Sequence, residues 1–445
     1  MFRAVGCNPM DVKARMDKAA ISRLQLTVII LCFSLNVHDG FDVVAISYAA
    51  PSISTDWSIS PATLGAVFSA GLIGMTLGAM FLAPLTDVIG RRRMILAAMV
   101  VVAVTMALSS LANAVWQLML LRCLTGLGIG SMLASLTALV AEYTPRRRRN
   151  FAIGFLQTGY PVGATIGGFI AAWVLPEYGW RGLFLLGGIL TAAMILLVLI
   201  WLPESVDFLI KRRPPNALER LNVILEKMNL ERLDRLPEPG TEALAPARLS
   251  SLMQQAHRGR TFCLWSAFFL TFFTLYFLLS WIPKIFVDAG FRMEDGISAG
   301  ITFNAGAILG VLALGYVADK KGLRELIALF CVLGGAFMVV FGLISEGLYL
   351  LLILTFFIGA FVDGGFAGLY SVAARIYPAE IRTTGIGWAI GAGRLGGIAG
   401  PYVGGLLAAA GWSTGATFFF FAVPMAFAAY AVMAIQSREL QVARA

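Results

Sequence analysis

The sequence is short of charge. Asp, Glu, Lys and Arg make up 13% of its 445 residues, against about 25% in an ordinary soluble domain. A chain with so little charge cannot cover a water-facing surface of its own size, which excludes a soluble enzyme and equally a disordered or fibrous chain. Histidine is scarcer still, with only His38 and His257, leaving little for zinc or haem. The cysteines (Cys7, Cys32, Cys123, Cys263, Cys331) are scattered and odd in number, and form neither a readable disulfide framework nor a CxxC metal pair. No metal and no cofactor are expected. Apolar residues are in excess, at 59%, with a mean hydropathy of +0.82. That combination reads as an all-α polytopic membrane protein.

About 20 apolar residues cross a hydrocarbon core roughly 30 Å thick. Twelve such runs occur, at about 24–50, 62–85, 94–112, 115–141, 151–174 and 181–202, then 262–286, 297–318, 325–344, 348–374, 383–409 and 414–435. The organisation expected is a tail over 1–22, a six-helix bundle over 23–202, a linker over 203–260, a second six-helix bundle over 261–436 and a tail over 437–445. The linker is mixed in charge and carries Pro214-Pro215 and Pro237-Glu238-Pro239-Gly240, with one short helix expected around 216–228.

The net charge of +9 belongs to alternate connections rather than to a nucleic-acid surface, and no nucleic acid is expected as a partner. Arg3, Lys13, Arg15 and Lys18 precede the first run, Arg91 to Arg93 follow the second and Arg146 to Arg149 the fourth. Lys211 to Arg213 lie in the linker, Lys320 and Lys321 after the eighth run, Arg375 and Arg382 after the tenth, and Arg438 and Arg444 after the twelfth. The intervening connections hold almost none, Arg181, Lys284 and Arg292 excepted. Excess Lys and Arg mark cytoplasmic loops, so both termini and the linker are expected in the cytoplasm. The first run is too long for a signal peptide and no cleavage site follows it.

The two halves repeat each other. Gly78, Asp87 and Gly90 recur as Gly310, Asp319 and Gly322 at an offset of 232, and Arg149, Gly154, Gly163 and Gly167 as Arg382, Gly387, Gly396 and Gly400 at an offset of 233. Two blocks at nearly one offset indicate a duplicated six-helix unit, an arrangement that transporters use with a site near the midplane between the repeats.

Several motifs carry a resemblance. The stretch from Gly78 through Asp87 and Gly90 to Arg93 resembles the loop between helices two and three of the major facilitator superfamily. Arg122-x-x-Thr125-Gly126-x-Gly128 is similar to its fourth-helix motif and Leu202-Pro203-Glu204-Ser205 to the end of its sixth helix. Asp39-Gly40-Phe41-Asp42 resembles the DGxD signature of its aromatic acid:proton symporters, and Tyr377-Pro378, Arg382 through Trp388, and Gly393-Arg394-Leu395-Gly396 resemble the same family. The sequence departs from the superfamily pattern at Ala83, where the loop motif usually has Gly, at Val88, usually basic, and at Val206-Asp207. The resemblance implies twelve transmembrane helices in two six-helix pseudo-repeats, and a bacterial inner-membrane symporter serving aromatic compound catabolism. It would import hydroxybenzoates such as 4-hydroxybenzoate or protocatechuate with protons, as a monomer in contact with lipid. Lignin-derived acids and muconate-like diacids stay open as substrates. An efflux antiporter and a non-transporting sensor are the alternatives.

A charge at a helix centre costs roughly 2.5–3.5 kcal/mol on insertion scales, and five stand well inside apolar runs: Asp39, Asp42, Arg122, Asp363 and Arg394. Asp39 and Asp42 are three apart and so share a helical face. Two carboxylates that close in a dry cavity do not both ionise easily, which suits them to proton coupling with Arg122; simple ion pairing to Arg122 or Arg394 is the alternative. His38 lies on a different face by this reading and is expected as a hydrogen-bonded interior residue. The planar guanidinium of Arg394 near the midplane matches a carboxylate and is the candidate for the substrate's acid group. Tyr276 and Ser280 share a face of the aromatic seventh helix that could hold a ring and its hydroxyl. Gln157, Tyr160, Asn304 and Asp363 are weaker substrate-binding candidates. At the loops, Asp87, Arg91, Glu142, Arg149, Asp319 and Arg382 form a charge set suited to a gate, although exposed pairs contribute only about 0–1 kcal/mol each. Two patterns are discounted. Gly391-Ala392-Gly393-Arg394-Leu395-Gly396 matches a dinucleotide fingerprint but lacks the βαβ setting it needs, and its glycines instead permit close helix packing. Gly400-Pro401 with Gly404-Gly405 matches an antiporter motif that belongs in helix five.

Overall fold

The computed structural model describes residues 12, 15–17, 19–237, 252–255, 257–318, 322–344, 347–377 and 379–435, with only the backbone at 150, 379, 380, 382 and 383. Arg3, Cys7, Lys13, Lys18, Glu238 to Gly240, Asp319 to Lys321, Pro378, Arg438 and Arg444 lie outside the described residues.

Hydrocarbon offers a backbone no hydrogen-bond partner, so each apolar run must bond internally as a helix. The helices are α1 Arg23–Trp57, α2 Pro61–Leu77, α3 Arg91–Ser109 and α4 Val115–Tyr143. The span Arg146–Trp201 is interrupted at Gly179, whose φ of 62° and ψ of −172° leave the helical region. Glycine alone enters that region without strain, and the break separates α5 (146–178) from α6 (180–201). The second half holds α7 Arg258–Asp288, α8 Met293–Ala318, α9 Leu323–Leu343, α10 Leu348–Ile376, α11 Ala379–Ala409 and α12 Thr414–Ala434. Side-chain caps fix several starts: Ser22 and Gln25 form a capping box on α1, Ser60 caps α2 ahead of Pro61, and Ser413 caps α12.

The twelve expected runs are present, with three adjustments. The first helix extends to Trp57, well past residue 50. Beyond Leu77, α2 continues through a π turn, Gly78–Leu82, and a 3-10 turn, Ala83–Leu85, into Thr86–Ile89; Pro84 there has no N–H to give an α-helical ladder. The linker carries two short helices, Val206–Arg212 and Ala217–Lys227, where one was expected. The first is nucleated by the Ser205 hydroxyl, which accepts from Phe208 N at 3.0 Å, and it buries Leu209 and Ile210.

The duplication read from spacing is a duplication of packing. A Cβ on Gly78 of α2 would collide with the Leu127 carbonyl of α4, and one on Gly310 of α8 with the Ala360 carbonyl of α10. Gly163 meets Val37 O between α5 and α1, and Gly396 meets Phe269 O between α11 and α7. Both members of each contact are displaced by the repeat offset. The discounted glycine pattern around Arg394 is thus a helix-packing surface.

The end of the bundle carrying the basic loops differs from the opposite end. All three basic exceptions at the opposite end are held by acids: Arg181 by Asp56 at 2.9 Å, Lys284 by Asp288, and Arg292 by Glu294 and Asp295 at 3.4 Å each. Contacts between the halves also gather there. The Ser69 hydroxyl of α2 donates to Ile398 O of α11 at 2.7 Å, Phe68 meets Trp281 of α7 edge-on at 5.4 Å, Gly168 of α5 abuts Ile301 of α8, and Gly405 abuts Pro61. At the basic end the described glycines give no contact between the halves: a Cβ on Gly154, Gly315 or Gly387 would meet no atom within 4 Å, as is also so at the loop glycines Gly179, Gly290 and Gly411 of the opposite end. A separate buried cluster there joins Val12, Cys32, Tyr143 and Leu156 to linker residues Leu209, Leu221 and Leu225, all from the first half and what flanks it. The halves are therefore sealed together at the end opposite the basic loops and stand apart at the basic end.

Candidate functional site

The five intramembrane charges, of which Asp39, Asp42 and Arg122 are buried and Asp363 and Arg394 half-buried, fall into two connected layers between the halves. In the first, Asp42 of α1 and Arg122 of α4, 1% and 3% exposed, face one cleft of about 510 Å³, including its open mouth. Its walls also include Ser47 of α1, Phe68 and Gly71 of α2, and Tyr276 and Ser280 of α7. Arg122 is held by neutral groups: its Nη2 donates to Thr125 Oγ1 at 3.0 Å and lies 2.6 Å from Met106 Sδ, while its guanidinium carbon sits 4.7 Å above the Phe184 ring. Neither oxygen of Asp42 has a hydrogen-bond partner among the described residues. Unpaired polar atoms in a dry interior are costly, and they cluster where a ligand or proton supplies the missing partner.

The second layer is built by both halves. Asp39, 2% exposed, also has two carboxylate oxygens without a partner. The same holds for the Tyr160 hydroxyl on α5 and for Nε and Nη1 of Arg394 on α11. Tyr160, Tyr276 and Tyr370, from α5, α7 and α10, each lie within electrostatic reach of Arg394 and of Asp363 on α10, and Tyr160 within that of Asp39 as well. The Tyr276 ring stacks on Phe272 at 5.6 Å, and Phe272 meets Phe366 edge-on at 4.8 Å. A cation, two carboxylates and three phenols in a wall of aromatic rings suit an aromatic anion. The ring finds π surfaces, and its acid group finds a guanidinium with hydrogens to give.

Asp39, Asp42, Arg122, Asp363, Arg394, Tyr276 and Ser280 are thus brought together. Asn304, 3% exposed, stands apart: its Nδ2 donates to Gly300 O at 2.8 Å, and it lines a smaller pocket beside Tyr48. Gln157 is exposed on α5. The placing of His38 on a different face is corrected. Four residues before Asp42 it shares that residue's face, with Nε2 3.5 Å from Asp42 Oδ2 and 2.6 Å from Thr191 Oγ1 of α6. A spacing of four is the signal that should have found it. Tyr370 was missed; its signal is a phenol seven residues, about two turns, beyond Asp363 on the same helix.

The loop charges bind within the first half. Arg91 pairs with Glu142, whose Oε2 accepts from Ser205 Oγ at 2.6 Å. Glu204 Oε1 accepts from Arg92 N at 3.0 Å, and Asp87 O from Arg212 Nε at 2.9 Å. Asp87 itself is exposed, and Arg149 is half-buried with an unpartnered Nε. Asp319 and the side chain of Arg382 lie outside the described residues.

The family model of the Major Facilitator Superfamily matches residues 32–347 and 303–441. A gallate transporter of Pseudomonas putida is 33% identical over 430 residues, 96% of this chain and 95% of that one. The 4-hydroxybenzoate transporter PcaK of the same organism is 34% identical over 406 residues, 91% of each chain. The backbone superposes with a TM-score of 0.65, at 14% identity, on the crystal structure of a bacterial homolog of the human lysosomal transporter Spinster; the match covers 95% of this chain and 97% of that one.

Proposed function

Because this chain belongs to the Major Facilitator Superfamily, within its aromatic acid:proton symporter family, we propose that it imports an aromatic carboxylate together with protons by alternating access. Its relatives are transporters rather than enzymes, and the gallate and 4-hydroxybenzoate transporters among them support a hydroxylated benzoate as the substrate. The observation that carries the reading is the site between the halves. There Arg394, Asp39 and Tyr160 hold polar atoms that the protein itself leaves without partners.

On this reading the basic loops face the cytoplasm of a bacterial inner membrane, as an excess of Lys and Arg supports, with both termini on that side, and the chain works as a monomer in lipid. The conformation described above is then open to the cytoplasm. In the opposite state, protonation at Asp39 and Asp42 and docking of the substrate carboxylate at Arg394 together neutralise the cavity, and the bundles over 23–202 and 261–436 rock about it. Arg122 tunes Asp42 across the cleft. Tyr276, Ser280 and Asp363 contact the ring and its hydroxyls, with Asn304 and Gln157 at the margins. Asp87, Arg91, Glu142 and Arg149, with Asp319 and Arg382 of the second half, engage when the cytoplasmic side closes.

Closure makes a steric demand that can be tested. Gly154 lies 14 residues before the Gly168 contact and Gly315 lies 14 after Ile301 on the facing helix. At 1.5 Å per residue, both are about 21 Å from that contact. They have open space now and meet when α5 and α8 close. Gly154→Trp is expected to hold the cytoplasmic side open, reducing uptake at least about tenfold while substrate still binds from that side. Uptake in cells against binding to purified protein reads the difference, and normal uptake would remove this contact from the cycle. Substrate identity is checked by uptake of radiolabelled gallate, 4-hydroxybenzoate, protocatechuate and benzoate with and without a protonophore. A hydroxylated benzoate is expected to accumulate only with the proton gradient intact; accumulation of none of them would overturn the reading.

A further inference from the structure

The Thr191 hydroxyl has a single hydrogen, and it is directed to Gly187 O at 2.8 Å, one turn back along α6. At its other contact, 2.6 Å from His38 Nε2, it can therefore only accept. A Thr191 hydrogen kept on Gly187 O leaves the hydrogen between them to the imidazole, which puts it on Nε2. The same Nε2 lies 3.5 Å from Asp42 Oδ2, a carboxylate oxygen that no hydrogen bond reaches in this state. One N–H thus has two acceptors in range and is spent on the hydroxyl.

We propose that His38 is the positioning residue for Asp42, a swinging donor parked on Thr191 while Asp42 is neutral and turned onto Oδ2 when Asp42 gives up its proton. The chemistry is a change of hydrogen-bond partner, with no proton leaving the imidazole: Nε2–H breaks with Thr191 Oγ1 and forms with Oδ2. Because Nε2 already holds its hydrogen, His38 cannot accept the Asp42 proton there, and its work is to stabilise the carboxylate left behind. The surroundings fit a small reorientation. The His38 side chain is 11% exposed and its ring lies 6.0 Å from that of Phe41. Gly187 lets α6 approach this closely: a Cβ there would collide with Met106 Cε and stand 3.5 Å from Asp42 Oδ1. The other charged or titratable groups facing the pair are Asp39 on the same helix, Arg122 from α4, Tyr160 from α5 and Tyr276 from α7. The facing residues of α3 and α6, Met106 and Thr191, do not titrate, nor do the cleft residues of α2.

The proposal rests on the proton-coupled reading, and its test separates the two. The chain has only two histidines, so nitrogen NMR of protein labelled at histidine, in lipid nanodiscs and with His257→Gln to leave one signal, reports His38 without any substrate. The expected result is the Nε2-protonated tautomer, with a shift that changes with pH in the otherwise wild-type protein and is pH-independent in Asp42→Asn. An Nδ1-protonated tautomer, or a pH response that survives Asp42→Asn unchanged, overturns the proposal. The transport arm compares His38→Gln, which keeps an N–H at similar reach and cannot titrate, with His38→Leu, which has none. His38→Gln is expected to keep proton-driven uptake within about threefold. His38→Leu is expected to lose at least about tenfold, the size of one hydrogen bond to a charged group, with its pH profile displaced to the alkaline side. Equal loss in both variants overturns the positioning role. If the parent protein takes up no aromatic acid, the substrate reading falls, while the NMR result still decides the role of His38.

Discussion

Arg394→Ala is expected to abolish accumulation of the aromatic acid while the protein reaches the membrane at its normal level. The guanidinium has two nitrogens without partners and sits among three phenols between the halves. A charge-assisted hydrogen bond contributes about 1.5–3 kcal/mol, so losing two such bonds to the substrate carboxylate lowers affinity at least about a hundredfold. The fold tolerates the change, because no intramolecular hydrogen bond of those nitrogens is lost and the α7–α11 crossing is made by Gly396 and Gly400 against Phe269 and Phe273. Arg394→Lys keeps the charge but not the planar fork and is expected to fall between. Substrate binding to purified protein, with surface abundance measured alongside, checks both. A wild-type affinity in Arg394→Ala would transfer the carboxylate to Arg122, the buried arginine of the cleft.

The double variant Asp39→Asn/Asp42→Asn is expected to lose accumulation against a gradient and its protonophore sensitivity together, while exchange of substrate across the membrane continues. Asparagine keeps the shape and removes the only carboxylates of the first half that lie buried at the centre of the bundle. The single variants are expected to differ, since Asp39 faces Tyr160, which is itself within reach of Arg394, whereas Asp42 faces Arg122 and His38. Asp39→Asn should weaken coupling and substrate affinity together, and Asp42→Asn mainly coupling. Counterflow and net uptake measured on the same vesicles separate these quantities. Accumulation of wild-type size in the double variant sinks the assignment of the pair to proton coupling.

Much of the site was legible because ionisable residues in apolar runs are conspicuous one by one. Asp39, Asp42, Arg122, Asp363 and Arg394 each break a run that otherwise pairs with lipid or helix. Tyr370 and Thr191 break nothing, since a phenol or a hydroxyl is unexceptional in a membrane helix, and only their neighbours give them meaning. Asn304 was marked by its polarity, and one hydrogen of its amide goes to Gly300 of its own helix, in a smaller pocket that shares Val44, Ser47 and Leu279 with the main cleft. The loop charges were read as a gate from their positions in the two repeats. In this conformation Arg91 and Glu142 are bound together with Glu204 and Ser205, where the first half meets the start of the linker.

The sequence by itself determined that the chain lies in a membrane, its twelve helices, their duplication and the depth of each charge. These follow from local rules: a backbone in hydrocarbon must bond to itself within about 20 apolar residues, and a repeat is a constant offset along the chain. The tertiary structure alone decided which end of the bundle is sealed, that Asp39 and Asp42 serve different neighbours, and that one N–H of His38 is shared between Thr191 and Asp42. Those outcomes depend on how each helix is rotated against partners far along the chain, as with His38 and Thr191, 153 residues apart. Rotation is set by the fit of whole helix surfaces, such as Gly396 and Gly400 against the backbone of α7, and no short stretch of sequence records it.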